Sequence, residues 1–240
     1  MENDVFKKLY DDIAIRKNEI NSDVNYSGGN GRIDRAAEII LTEDFPKDGI
    51  LLDVGGATGN LGFLLKNYFS KRFVIDITNE CSYPAKKKGN EFYQENVDLT
   101  GLKAWAGCDI SLITALDFIE HILNPEQFAK GCFNALKFGG KVLINTPNIQ
   151  YWRHLDSLVS NAHFPHTSGD REVFHGGHVA FYNFFDLKNI FESTGFVNCK
   201  MHTEKLKADP PPPIWLNLAK YKDSSKHLSY PDLIFSCEKP

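Results

Sequence analysis

The sequence lacks the features that define several large classes of protein. No apolar run approaches the roughly 18 residues of a membrane-spanning helix, and the first residues, MENDVFKKLYDD, have no apolar signal-peptide core. Lysine and arginine number 27 against 31 acidic residues, a formal charge of −4, so nothing indicates a nucleic-acid binder. The five cysteines include no CxxC pair, which disfavours structural zinc and favours reduced thiols in a cytoplasmic protein. We therefore expect neither a membrane nor nucleic acid as a partner, and no pattern predicts the oligomeric state.

What is present is an ordered globular composition, with 42% hydrophobic and 12% aromatic residues over 240 positions. Strand and helix patterns alternate along most of the chain, which favours an α/β sheet covered on both faces. We predict one domain over residues 1–240, with a helical segment over 1–45. A lid insertion is expected at about 150–180, and a proline-rich insertion at about 205–230.

The apolar patterns and turn signals predict individual elements. The predicted strands are 50–54, 72–77, 91–96, 110–114, 142–144, 196–203 and 232–238. The predicted helices are 3–20, 32–43, one from Leu61 with Tyr68 on its apolar face, one from Pro125 to Gly139-Gly140, and 185–194. The three lysines 86–88 are expected to form a solvated turn, and the four prolines 210–213 a stiff spacer.

A glycine-rich turn stands where the first strand, Ile50–Val54, meets the next helix. Such a turn lets the backbone approach a ligand without a Cβ in the way, as in nucleotide-type sites. A dinucleotide fingerprint requires the spacing G-x-G-x-x-G, and that spacing fails here at Ala57 and Thr58.

The sequence DVGGATG, residues 53–59, instead resembles motif I of the class I S-adenosylmethionine-dependent methyltransferases, with Ala57 in place of the usual middle glycine. Residues 109–148 are similar to the pattern that follows motif I in this family: L-x-x-x-E-H, then LK-x-GG, then TPN. Residues 178–196 resemble a later block of the small-molecule, quinone and sugar O-methyltransferase subgroup. The resemblance implies a doubly wound, Rossmann-like α/β fold. Its seven-stranded sheet would be mostly parallel, with the last strand antiparallel and helices on both faces.

The same resemblance implies how S-adenosylmethionine is held. Asp53 would lie near the ammonium group of the donor, Asp76 would bind the ribose, and Asp98 with Leu99 would contact the adenine. Arg32 would bind the donor carboxylate, with Arg35 as its rival. The implied cofactor-binding set is Arg32, Asp53, Gly55, Gly56, Ala57, Gly59, Asp76, Ile77, Asp98, Leu99 and Leu116.

An oxygen acceptor normally has to lose its proton, so a base is expected near it. His178 is the first candidate, because it fills the histidine of the H-x-x-F pattern in the later block that resembles this family, and His175 is the second. Imidazole suits this role because it titrates near neutral pH. Alternatively, both histidines only orient the lid. The acceptor pocket would be shaped by Tyr151, Trp152, Arg153, His154, His163, Phe164 and His166.

Asp117, Glu120 and His121 follow the fourth predicted strand with the spacing D-x-x-E-H. This resembles the E-x-x-E-H of some quinone methyltransferases, which bind a divalent cation through it, although E-H also occurs without a metal role. We predict no metal, and keep these three residues as the alternative ligand set.

These features predict an enzyme that methylates an oxygen of a small metabolite, with a sugar or sugar nucleotide favoured by the polar, histidine-rich lid. The alternatives are a metal-assisted quinone or catechol methyltransferase and a donor-binding partner protein without catalysis. An NAD-dependent oxidoreductase is disfavoured by the glycine spacing.

Overall fold

The computed structural model describes residues 31–160, 163–164, 177–202, 206–218 and 226–240. Its strands are β1 Ile50–Val54, β2 Lys71–Asp76, β3 Glu91–Gln94, β4 Ile110–Leu116, β5 Leu136–Pro147, β6 Val197–Met201 and β7 Asp232–Glu238. Its helices are α1 Gly31–Thr42, α2 Asn60–Leu64, α3 Ser82–Lys87, α4 Val97–Thr100, α5 Pro125–Ala135, α6 Trp152–Ser160, α7 Phe184–Ser193 and α8 Pro213–Leu218. None of the helices in these ranges is long and apolar enough to cross a membrane.

The seven strands form one sheet in the order β3-β2-β1-β4-β5-β7-β6. All neighbours from β3 to β5 are parallel, whereas β7 runs antiparallel to both β5 and β6. The predicted doubly wound, mostly parallel sheet with an antiparallel last strand is therefore confirmed. Strands β1 and β7 have the predicted bounds to the residue.

Two hydrophobic cores lie on opposite faces of the sheet, because consecutive side chains of a strand point to opposite faces. Leu52 and Ile113 contribute to one core together with Phe128 of α5 and Phe191 of α7. The neighbouring residues Leu51 and Leu112 contribute to the other core, with Ile39 and Ile40 of α1. Burial on both faces explains why these strands are continuous apolar runs.

Two predicted helix ends are wrong. Helix α2 covers only Asn60–Leu64, and Tyr68 is 43% exposed instead of lying on a buried face. Helix α5 ends at Ala135, since Leu136 is already extended and pairs with Ile110 of β4. The Gly139-Gly140 pair lies within β5. A Cβ at Gly140 would come within 3.0 Å of two carbonyl oxygens, so glycine permits this close approach.

The predicted lid insertion begins with a helix, α6, in which Trp152, Leu155 and Val159 recur at helical spacing. The rest of the predicted lid, apart from 163–164 and 177–180, lies outside the described residues, as does the predicted helix 3–20. Residues 210–212 of the proline run belong to no helix or strand, and Pro213 begins α8, consistent with the preference of proline for the first turn of a helix.

Candidate functional site

The loop after β1 carries the glycines of the predicted donor site. Gly55 and Gly59 have φ values of +68° and +70°, a region that glycine enters at no steric cost, and Ala57 has a φ of +44°. A Cβ on Gly55 would lie 2.8 Å from the Phe118 ring. The Gly55 N–H donates to the Ile75 carbonyl at 2.8 Å, so the loop bends across the ends of β1 and β2.

Two predicted carboxylates lie under and beside this loop. Asp53 is only 4% exposed, accepts a 2.7 Å hydrogen bond from the Thr114 hydroxyl, and fills the space next to Gly56. Burial raises the pKa of Asp53 to about 7, opposed by the Thr114 hydrogen bond and supported by the charge on Asp76. Asp76 accepts hydrogen bonds from the Ala57 and Thr78 amides, both at 3.1 Å. Its carboxylate therefore joins the loop to the end of β2.

The other predicted adenosine contacts lie further along the same edge. The Asp98 carboxylate accepts hydrogen bonds from the Leu123 and Asn124 amides at 2.9–3.0 Å and so ties α4 to the chain before α5. Leu99 is 58% exposed, Ile77 is half-buried, and Leu116 is half-buried at the end of β4. The Asp98 carboxylate thus already binds two backbone amides. Its contact with adenine stays a prediction.

The two candidate arginines for the donor carboxylate have different partners. Arg32 forms an ion pair with Asp117, to which the Asn145 side-chain amide also donates. Arg35 pairs with Asp232, at the start of β7, at 3.1 Å. Arg32 is therefore placed at the end of β4 and Arg35 at the end of β5, since β7 is antiparallel to β5.

Glu120, His121 and His178 come together after β4, although His178 is distant in sequence. Each residue offers one atom that could ligate a metal ion, and these three atoms lie within 4.8 Å of one another. We call it the Glu–His–His cluster. Asp117, predicted with Glu120 and His121, is instead engaged by Arg32. In the structure, His178 therefore takes the place of Asp117 in the ligand set that D-x-x-E-H predicted.

Hydrogen bonds fix the geometry of the Glu–His–His cluster. The Thr146 hydroxyl donates to the Glu120 carboxylate at 2.9 Å, while the Glu120 carbonyl accepts the Val179 and Ala180 amides at 2.8 and 3.1 Å. His121 Nδ1 donates to the Gly177 carbonyl at 3.0 Å, because a carbonyl can only accept. The rings of His121 and His178 meet edge to face at 4.8 Å. Glu120 and His178 are buried, at 1% and 6% exposure.

The first residues of the lid converge on one aspartate of the proline-rich segment. Arg153 Nε donates to the Asp209 carboxylate at 2.6 Å, the Tyr151 hydroxyl contacts the same carboxylate, and the Trp152 indole donates to the Asp209 carbonyl. Hydrogen bonds from Arg153 and Tyr151 hold the pKa of Asp209 below its usual range. Asp209 therefore fastens α6 to the segment before α8, and no sequence motif pointed to it.

Other predicted lid residues are only partly described. His154 donates from Nδ1 to the Asn148 carbonyl at 2.8 Å, and burial lowers its pKa. His163 and Phe164 are exposed, with the Phe164 ring 5.0 Å from that of Phe181. His175, the second predicted base, and His166 lie outside the described residues.

Sequence comparisons identify relatives over most of the chain. A family model described as a methyltransferase domain matches residues 30–200. Among curated proteins, the ubiquinone biosynthesis O-methyltransferase of Idiomarina loihiensis is 24% identical over 117 residues. That match covers 47% of this chain and 48% of the relative, so it spans about half the length of that protein.

Solved structures share the fold at low sequence identity. A SAM-dependent methyltransferase from Archaeoglobus fulgidus aligns with a TM-score of 0.61 and 15% identity, over 88% of this chain and 95% of that one. Phosphoethanolamine N-methyltransferase 2 of Haemonchus contortus, in complex with phosphomonomethylethanolamine and S-adenosylhomocysteine, aligns with a TM-score of 0.65 and 15% identity. The second alignment covers 98% of this chain and 60% of that one.

Proposed function

The chain belongs to the class I S-adenosylmethionine-dependent methyltransferases, and from this premise we propose that it methylates an oxygen of a small-molecule acceptor. The observation that carries the proposal is the Glu–His–His cluster. It follows β4, the strand next to β1, and it contacts Thr146 near the end of β5. Ligands of open α/β sheets bind at this carboxyl edge. A sugar or sugar nucleotide is the favoured acceptor, because the lid is polar and rich in histidine.

The residues of the glycine loop fit S-adenosylmethionine, which supplies a methyl group on a sulfonium when it is bound. Glycine at 55, 56 and 59 leaves the loop backbone without side chains that would obstruct a ligand. We propose that Asp53 lies beneath the ammonium group and that Asp76 binds the ribose. Ile77, Asp98, Leu99 and Leu116 would contact the adenosine, and Arg32 the carboxylate.

Methyl transfer from a sulfonium is an in-line displacement that needs orientation and the exclusion of water more than covalent help. The chain has to hold the acceptor hydroxyl in line and accept its proton. We propose that the imidazole of His178 accepts this proton, with Glu120 and His121 positioning that ring. His175 is the second candidate.

The free thiols of the described cysteines support a cytoplasmic location.

The proposal is tested with purified protein, methyl-labelled S-adenosylmethionine and a panel of sugars, sugar nucleotides, catechols, quinols and amines. We expect label on a hydroxyl oxygen, with a sugar or sugar nucleotide the best acceptor. Transfer to amines alone would contradict oxygen methylation. Donor binding without transfer to any acceptor would instead favour a partner protein without catalysis.

A second candidate function is a metal-assisted transfer to a quinone or catechol oxygen, and the composition of the Glu–His–His cluster favours it. Two imidazoles and one carboxylate form a donor set suited to Zn²⁺ and similar ions. The bond from His121 to the Gly177 carbonyl is the outer contact that metal-binding histidines commonly make. A bound ion would act as a Lewis acid on the acceptor oxygen.

Chelation separates the two candidates. For base catalysis by His178, activity is expected to stay within about twofold after treatment with EDTA and dialysis. Loss of activity that Zn²⁺ or Mn²⁺ restores would establish the metal-assisted transfer instead. The metal content of the purified protein, measured by mass spectrometry, gives an independent readout.

A further inference from the structure

Two buried polar residues between α3 and β3 hold the backbone of the glycine loop. Lys88 is 4% exposed, and its ammonium group donates to the Thr58 carbonyl at 3.2 Å. Asn90 is also 4% exposed, and its side-chain amide donates to the Gly59 carbonyl at 3.0 Å and the Ala85 carbonyl at 3.2 Å. The sequence predicted a solvated lysine turn here. Lys86 and Lys87 are exposed as predicted, although they form the end of helix α3 and not a turn, and the prediction is wrong for Lys88, which is buried.

Packing around Asn90 shows how closely this region fits the loop. A Cβ on Gly59 would lie 2.4 Å from Asn90 Nδ2, and a Cβ on Gly62 would lie 2.1 Å from Asn90 Oδ1. Real Cβ atoms do not approach this closely, so glycine at both positions leaves the room that Asn90 occupies. Gly59 thus serves both the loop conformation and the contact with Asn90, whereas Gly62 of α2 serves the contact alone.

A buried ammonium group is costly because it leaves water. Lys88 is buried next to two lysines that remain in solvent, and its ammonium donates to a carbonyl of the loop itself. The carbonyl and N–H of a trans peptide point in opposite directions. A bond to a loop carbonyl therefore also sets the direction of the N–H that follows it in the chain.

We propose that Lys88 and Asn90 are positioning residues for the methyl donor. By holding the Thr58 and Gly59 carbonyls, they fix two successive peptide planes of the loop before the donor arrives. Binding then does not have to order this backbone, which favours affinity. The proposal rests on the proposed function, because it takes the glycine loop as the surface on which S-adenosylmethionine lies.

The test compares Lys88→Met, which keeps the length of the side chain but removes its charge, with Lys87→Met at the exposed neighbour. We expect Lys88→Met to raise the Kd for S-adenosylhomocysteine and the KM for S-adenosylmethionine about tenfold. At saturating donor, kcat should stay within about threefold. Lys88→Arg retains a cationic donor and should recover part of the affinity, and Lys87→Met should match the wild type.

Asn90→Ala is the second variant, and the same rise in Kd and KM is expected for it. It tests the positioning role if Lys88→Met does not fold. Thermal unfolding without donor monitors the fold of each variant. An unchanged Kd in the folded variants would overturn the positioning role, as would a fall in kcat at an unchanged KM. If the wild-type protein itself bound no donor, the proposed function would fail instead.

Discussion

Replacement of His178 by alanine is expected to lower kcat about 10²- to 10⁴-fold, the usual contribution of a positioned general base. The donor should still bind with nearly wild-type affinity. His178 contacts the His121 ring and belongs to the cluster with Glu120, whereas the glycine loop is held by Asp76 and by residues of the α3–β3 turn. Removal of the imidazole therefore leaves the proposed donor site intact and takes away the group that receives the acceptor proton.

The measurement pairs initial rates at saturating donor with the Kd for S-adenosylhomocysteine, obtained by calorimetry. His202→Ala is the matched control, since His202 is a buried histidine whose ring contacts Glu43 and Ser236 and belongs to neither proposed site, and its rate should stay within about twofold of the wild type. Since His178 is buried, thermal unfolding of both variants has to be compared as well. If His178→Ala lost donor binding as well as turnover, the histidine would have a structural role and not a catalytic one.

Donor binding is expected to weaken about tenfold per pH unit as the pH falls below 7. Burial raises the pKa of Asp53 to about 7 in the empty site, so below that pH the carboxyl group is protonated. If the ammonium group of the donor pairs with the Asp53 carboxylate, binding has to displace this proton. The affinity therefore rises with pH up to about 7 and levels off above it.

The contribution of Asp53 to the stability of the empty protein should change in the opposite direction. A carboxyl whose folded-state pKa lies above its unfolded value near 3.8 stabilises the fold while it is protonated. That contribution, about 4 kcal/mol from the difference in pKa, is fully present below about pH 4. It is lost as the pH rises through 7. Asp53→Asn keeps an acceptor for the Thr114 hydroxyl but has no proton to lose.

Calorimetric titration with S-adenosylhomocysteine between pH 5.5 and 8.5, in buffers of different ionisation enthalpy, measures the protons released on binding. Wild-type protein should release close to one proton at low pH and progressively fewer above pH 7. Asp53→Asn should show neither this proton release nor the change of affinity with pH. Protons that come from the ligand are measured with this variant and subtracted. An identical pH profile in both proteins would contradict the role assigned to Asp53.

Most of the sheet could be predicted from the sequence, because buried parallel strands are short apolar runs bounded by turn residues. Val74 and Ile75 in β2, and Ile113 in β4, are such residues, and all are fully buried. Helix ends were less predictable. Gly139-Gly140 predicted the end of this helix, yet pairing of Leu136 with β4 ends α5 at Ala135.

The positions of the candidate site residues could be predicted where they follow a local motif or the end of a strand, and not where they depend on contacts between distant residues. Asp53, Asp76 and the glycine loop follow from the motif and from the ends of successive strands. The pairing of Asp117 with Arg32, and the approach of His178 to Glu120, join residues more than 50 positions apart. Lys88 could not be distinguished from Lys86 and Lys87, since only tertiary packing buries one lysine of the three.

The position of β7 constrains the order in which the sheet can be completed during synthesis. Strand β7 lies between β5 and β6 but leaves the ribosome after both of them. Until residues 232–238 emerge, β5 has an open edge and β6 has no neighbour in the sheet. Such exposed edges invite association with other chains, so the sheet is most prone to aggregation before β7 is inserted between β5 and β6.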